Sequence, residues 1–398
     1  MRLTEDIYDA IDDSEITLLV FLDFSKAFDT VNHKLLLAKL KILGFQENTC
    51  DWVLSYLSGR QQKVVTANES SNWSPIINGV PQGSILGPLL FTILISDMRM
   101  SIWNGSYISY ADDTNLYWES AVETINETLT TANSVTSKIS NYCTDNCLRL
   151  NPGKCKYMFL GTKPAINKLN SMVLGDLKIN NVNMERVTHA KLLGVTFDEV
   201  LSWVRQVNKC IGMAMSNFFQ ISRYKRFLNK ESKIILCESI VLSQFNYCDV
   251  VYSNMDKYLK EKVQKVQNLC LRFIFDIKRK DHTNYDLLRK ELKWLDMNSR
   301  RLKHGLTLIY KILHDLAPNY LRDAFTLVSE IHSRNTRSSN SNIWIKNSIK
   351  SKLHRNSYTF QMVKIYNSLP EDIKNSVSVN SFKKRISGLL HEKLLAYP

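Results

Sequence analysis

The sequence is sparing in the residues and runs that mark specialised classes. Glycine (13) and proline (8) are modest in 398 residues, and the overall composition, 44% hydrophobic and 23% charged, is that of a soluble globular protein. Length alone suggests two or three domains. The eight cysteines, Cys50, Cys143, Cys147, Cys155, Cys210, Cys237, Cys248 and Cys270, are thinly scattered. That excludes a small disulfide scaffold and fits free thiols in a reducing compartment. Cys143, Cys147 and Cys155 form C-x3-C-x7-C without a nearby histidine. This is poor spacing for zinc, so they read as structural. The longest apolar run, "ILGPLLFTILI", has 11 residues and contains Pro88, too short to span a bilayer. The start, "MRLTEDIYDAIDD", lacks a basic segment followed by an apolar one, so no signal peptide is visible. An intracellular protein, of cytoplasm or nucleus, is expected, with no membrane partner. "KRK" (278–280) and "FKKR" (382–385) are too short to be convincing nuclear signals, and no internal repeat is visible.

Charge is present but unevenly spread. The whole chain carries +14, yet residues 1–120 hold 8 Lys and Arg against 15 Asp and Glu, leaving +21 on the other 278 residues. An acidic first third followed by a basic remainder points to a polyanion-binding surface in the later part. A solvated basic surface is the plainer alternative.

Leu3, Ile7 and Ile11 recur at helical spacing, so a short amphipathic helix opens the chain. "ITLLVFLDF" (16–24) reads as a strand buried on both faces and running into Asp23, a charge that a strand interior would not tolerate unpaired. Helices ending at Gly44 and Gly59 follow, then a hairpin over "QQKVVTANESSNWSPIINGV" and a helix over "GPLLFTILISDMRM". "SYISYADDTNLYW" (106–118) reads as strand, turn and strand, residues 121–147 as a helix, and "LRLNPGKCKYMFLG" as a turn into a strand. Beyond residue 200 the pattern is mostly helical. Leu259, Val263, Val266, Cys270 and Phe273 form one stripe flanked by lysines, best read as a core-packing helix with a solvated basic face. "SRNTRSSNSN" (333–342) is the best candidate for a flexible linker.

Asp112 and Asp113 are adjacent in a turn, where Asp-Asp is most often merely solvated. If the strands beside Asp23 and Asp113 are neighbours in one sheet, three carboxylates converge on one edge. Such a cluster must protonate or bind cations, and hard oxygen donors select Mg²⁺. Two such ions would serve phosphoryl transfer.

"FLDFSKAFDTVNHKLL" (21–36), "NGVPQGSILGPLLF" (78–91) and "YADD" (110–113), in this order, resemble motifs A, B and C of reverse transcriptases. More narrowly they resemble the enzymes of non-LTR, LINE-like retrotransposons of the Jockey and CR1 type. "LRLNPGKCKYMFLG" (148–161) is similar to the family's motif D, "KLLGVTFDEVLSW" (191–203) to the segment after it, and "VKIYNSLPEDIKNSVSVNSFKKRI" to the tails of such elements. The resemblance implies an α+β right-hand polymerase: a palm of antiparallel sheet and packed helices over residues 1–200, a helical thumb and connection over 201–332, and a C-terminal tail over 333–398. It implies Asp23, Asp112 and Asp113 as ligands of two Mg²⁺ or Mn²⁺ ions, and Lys154 as proton donor to pyrophosphate or its charge partner. Phe24, Phe28, Gln82 and Gly83 match nucleotide-binding positions, Phe28 as the ring beneath the sugar that excludes a 2′-hydroxyl. Asp29 and His33 read as structural hydrogen-bonding residues. Implied partners are an RNA template, a DNA primer or target, and dNTPs.

Only 22 residues precede Asp23, where the family carries a fingers region that grips the triphosphate. The expectation is a chain truncated before its palm. Two readings follow: an RNA-directed DNA polymerase, or a remnant that binds nucleic acid without polymerising. No carboxylate constellation in the C-terminal part argues for RNase H activity.

Overall fold

The computed structural model describes residues 1–323, 325–331, 342–344 and 349–392. The linker expected at 333–342 lies outside the described residues except for Asn342. The chain divides into two compact units, Glu15–His189 and a second made of Met1–Ser14 with Ala190–Pro398.

The first unit is built on strand β1 (Ile16–Leu22), whose side chains are buried on both faces as its unbroken apolar run requires. Alternation is absent because residues of both faces, Ile16, Leu18 and Val20 as well as Thr17 and Leu19, are buried. On one side lies β5 (Asp113–Ser120), antiparallel, and beyond it β4 (Ser106–Tyr110), giving the order β4-β5-β1. On the other lies β6 (Lys156–Leu160), antiparallel to β1. The fifth strand corrects the expectation of a wholly antiparallel sheet: Glu185–Arg186 pairs with β6 in parallel, making the sheet mixed. A parallel neighbour requires a crossover of a dozen or more residues, and the segment from Gly161 to Met184, with the helix Lys163–Asn170, provides it.

Helices α2 (His33–Ile42), α3 (Glu47–Leu57), α4 (Leu86–Ile95) and α5 (Ile125–Asp145) belong to the same unit. As the glycine positions suggested, α2 ends just before Gly44, where Phe45 N–H bonds back to the Leu40 carbonyl at 3.1 Å. Lys39 of α2 ties three helices together. Its Nζ donates to the Leu94 carbonyl (2.6 Å), Asp97 Oδ1 (2.6 Å) and Tyr142 Oη (3.0 Å). The expected hairpin after Gly59 is present but thin, Gln61–Gln62 against Ser74–Pro75.

The second unit is mostly helical. Its first helix, α1 (Arg2–Asp12), buries Leu3, Ile7 and Ile11. It packs there through Asp12 Oδ1, which accepts the N–H groups of Lys350 and Ser351 at 2.7 Å each. The helix Lys257–Ile274 buries the whole predicted stripe, so the core-packing reading holds for it. All eight cysteines are free. Among the described residues no helix is long and apolar enough to cross a membrane.

Candidate active site

The turn joining β4 to β5 contains only Ala111 and Asp112, closed by the Tyr110–Asp113 pair. Ala111 takes φ of +54°, a left-handed conformation that costs a non-glycine residue roughly 1–2 kcal/mol. Strain of this kind persists where the surroundings over-determine it, and it clusters at functional turns. Ser109 Oγ lies 3.2 Å from Thr114 Oγ1 across the hairpin base. Asp112 is half-buried and Asp113 exposed.

The pairing of β1 with β5 ends at Leu22 opposite Thr114. Asp23 is the residue just beyond this pairing on β1, and Asp113 the residue just before it on β5. The three aspartates thus lie at the same end of the β1–β5 pair, with Asp112 in the adjoining turn. The two strands are neighbours, as the sequence reading required, but the three carboxylates do not form one metal-holding group among the described residues. The Asp23 backbone is fixed on both sides. Its carbonyl accepts from Asn151 N–H at 2.8 Å, and its N–H donates to Cys155 Sγ at 3.4 Å. Burial pushes the Cys155 thiol up, so the sulfur acts here as a neutral acceptor. Ser25 N–H adds a bond to the Arg149 carbonyl at 2.8 Å. Through these bonds the turn Asn151–Lys154, with exposed Lys154 at its end, is anchored to the Asp23 end of β1.

The loops of residues 23–33 and 79–83 are laced together. Val80 N–H bonds the Phe28 carbonyl and Gly79 N–H the Val31 carbonyl, both at 2.8 Å. His33 Nε2 lies 2.7 Å from the Gly79 carbonyl, and Gln82 Nε2 donates to Asp29 Oδ1 at 2.9 Å. Asp29 and His33 therefore make the structural hydrogen bonds expected of them. Gly79 is obligatory, since a Cβ there would lie 2.9 Å from the Asp29 carbonyl oxygen and φ is +91°. Gly83, at φ +77°, instead faces open space, with nothing within 4 Å of such a Cβ. Phe28 is half-buried, its ring tilted 39° against Phe91 at 5.0 Å, while Phe24 is only 7% exposed and sits edge-on to the same ring. The Phe24 side chain is thus core.

Carboxylate oxygens are the donors that a hard divalent ion takes. Among the described residues, however, no three His, Cys, Asp or Glu side chains are grouped to hold a metal by themselves. The donor set suits an ion that takes one or two carboxylates and completes its shell with water and phosphate, as Mg²⁺ does. Sequence reasoning missed Asn151, which grips Asp23, and the Lys39–Asp97–Tyr142 network; no local signal marks either.

An aspartate pair on a strained hairpin, beside a strand that ends just before a third aspartate in a mixed sheet, is the setting in which the family comparison falls. Residues 1–197 match the model of reverse transcriptase (RNA-dependent DNA polymerase), and the chain belongs to the reverse transcriptases. Its relatives are of the non-LTR retrotransposon type. It is 28% identical over 291 residues to the probable RNA-directed DNA polymerase from transposon BS of Drosophila melanogaster, covering 69% of this chain and 31% of that protein. The RNA-directed DNA polymerase from mobile element jockey of the same organism is 27% identical, over 69% of this chain and 30% of its own length. The chain thus spans under a third of these relatives. Among solved structures, telomerase from Candida albicans in complex with a fragment of telomeric RNA is matched over 73% of this chain and 46% of its own, at 11% identity and a TM-score of 0.37.

Proposed function

We propose that the turn Tyr110–Asp113 is the catalytic turn of an RNA-directed DNA polymerase of a non-LTR retrotransposon, and that the unit Glu15–His189 acts as its palm. The observation that supports this reading is the antiparallel pairing of β1 with β5, which runs to Leu22 opposite Thr114 and so ends between Asp23 and the turn that holds Asp112 and Asp113. Asp23, Asp112 and Asp113 would hold two Mg²⁺ or Mn²⁺ ions, which supply Lewis-acid activation of a primer 3′-hydroxyl and stabilise the leaving pyrophosphate. The chain's own residues do the remaining work. Lys154, exposed on a turn anchored to Asp23, donates a proton to pyrophosphate. The half-buried Phe28 ring forms the floor under a dNTP sugar and excludes a 2′-hydroxyl. Gly83 leaves open backbone for the incoming nucleotide or template, and Gln82, held by Asp29, presents its amide beside it. RNA template and DNA primer or target are the macromolecular partners. The residues after about 200 would serve as thumb and tail.

A second reading, nucleic-acid binding without polymerisation, is favoured by the lack of a three-carboxylate group among the described residues. Primer extension on a primed RNA template with dNTPs separates the two. Extension, however slow, that requires Mg²⁺ or Mn²⁺ and is lost in Asp112→Ala and Asp113→Ala supports the polymerase. Salt-sensitive binding of the primed template with no metal-dependent product would overturn it in favour of the second reading.

A further inference from the structure

The helical unit contains a cavity of about 450 Å³ far from neutral in charge. Its lining carries five permanent cations, Lys293, Arg300, Lys303, Lys311 and Lys383, against one carboxylate, Glu238. Three of the cations come from a single helix, Met297–Leu313, and Lys383 comes from the helix Val379–His391. Lys303, Thr307 and Lys311 follow at intervals of four, so they lie along one face. Arg300 and Lys303 stand three apart on the same helix, and like charges on such neighbouring positions repel each other and weaken it. None of the five cations makes a salt bridge among the described residues; Arg300 donates to Asn246 Oδ1 at 3.2 Å and is attracted by the Glu238 and Asp249 carboxylates.

A solvated basic face would spread its charges into water. Here Arg300, Lys303, Lys311 and Lys383 are all half-buried around one concavity. Burial, with the Lys383 and Arg300 charges added, holds the Lys303 ammonium below the usual lysine range. His304, the remaining basic group on the wall, is already engaged by Asp249 at 2.7 Å. The wall is completed by Trp294 and Leu295, both buried. Crowded, partly dehydrated cations beside an apolar wall, in a space of ligand size, suit an anion carrying an apolar body. A nucleotide within a strand has that chemistry.

We propose that this cavity binds a phosphate group of a nucleic-acid strand through Arg300, Lys303, Lys311 and Lys383, with the attached nucleoside against Trp294 and Leu295. The proposal deepens the nucleic-acid reading above and rests on it only for the source of the phosphate. Binding of a fluorescent single-stranded RNA of about 20 nucleotides to the full chain, in EDTA so that no divalent ion serves the aspartate turn, tests it. Lys303→Gln and Lys383→Gln are each expected to weaken binding about threefold to tenfold. Each should also lower the slope of log K against log salt by about 0.7, the single-strand value per released counterion. Lys265→Gln, an exposed lysine outside the cavity, should change affinity much less. Melting temperatures of the two cavity variants should equal or exceed that of the parent, since mutual repulsion is relieved. Equal effects from Lys265→Gln and the cavity variants would overturn the proposal. So would unchanged RNA affinity together with pyrophosphate binding lost in Lys303→Gln, which would make the ligand a free anion. Loss of primer extension in Asp112→Ala with RNA affinity intact leaves this proposal standing apart from the polymerase reading.

Discussion

Gln82 donates its side-chain amide to Asp29 Oδ1 at 2.9 Å, bridging two loops 53 residues apart in sequence. Both groups are exposed, so water competes for them, and a net contribution of about 0.5–1.5 kcal/mol is expected. Gln82→Ala and Asp29→Ala should each lower stability by that amount in urea unfolding. The double variant should be little worse than either, because both remove one bond. Strictly additive losses would show that the bond contributes nothing of its own.

The two glycines of this loop should separate cleanly. Gly79→Ala meets both an unfavourable φ and the Asp29 backbone at 2.9 Å, and backbone cannot yield as a side-chain tip can. A loss of about 2–4 kcal/mol is expected. Gly83→Ala meets only the φ term, about 1–2 kcal/mol. Chemical denaturation of both variants checks the order; a Gly83→Ala protein the less stable of the two would contradict it.

Lys39 is the cation that gathers α2, α4 and α5 through the Leu94 carbonyl, Asp97 and Tyr142. Lys39→Met keeps the aliphatic stem but removes the ammonium, leaving Asp97 and the Leu94 carbonyl only the Tyr142 hydroxyl. A loss of about 2 kcal/mol is expected, against about 1 kcal/mol for Tyr142→Phe, whose hydroxyl bonds Asp97 at 2.5 Å. Thermal unfolding of both variants measures this, and a Lys39→Met protein as stable as its parent would refute the role.

Glu5 gives the helical unit a pH dependence of definite sign. Burial pushes its carboxyl up to about 7, with Asp9 adding to the rise and Thr359 and the amino terminus pulling part of it back. The folded state therefore holds the proton more tightly than the unfolded state, whose glutamate titrates near 4.5. The contribution is fully present below about pH 4.5, is lost between there and about 7 by at most about 1.4 kcal/mol per pH unit, and is absent above. Glu5→Gln should be more stable than the parent at pH 8 and gain nothing at pH 4.5. Urea unfolding at the two pH values reads this difference, and a constant difference would refute the assignment.

Much of the sheet unit could be read from local pattern. The apolar run 16–22 announced a strand buried on both faces, and "SYISYADDTNLYW" announced its hairpin, because periodicity and turn chemistry are local properties. The parallel pairing of Glu185–Arg186 was not legible, since two residues carry no periodic signal and their partner is chosen by the length of a crossover. Asp23, Asp112 and Asp113 could be named from the sequence, whereas the β1–β5 pairing that brings their strand ends together depends on register. The basic cavity was visible only as bulk charge. Its cations are spread from Lys293 to Lys383 and meet only after several helices have packed.

Asp12 bonds to Lys350 and Ser351, residues made some 338 positions later. At ribosomal speeds of about 5–20 residues per second, the first helix waits roughly 20 seconds to a minute for its partners. The sheet unit, Glu15–His189, is complete long before that. It is therefore made as an insertion within the chain of the helical unit, which cannot close there until Lys350 and Ser351 have emerged, and its aspartate turn is assembled while the helix Arg2–Asp12 still lacks them.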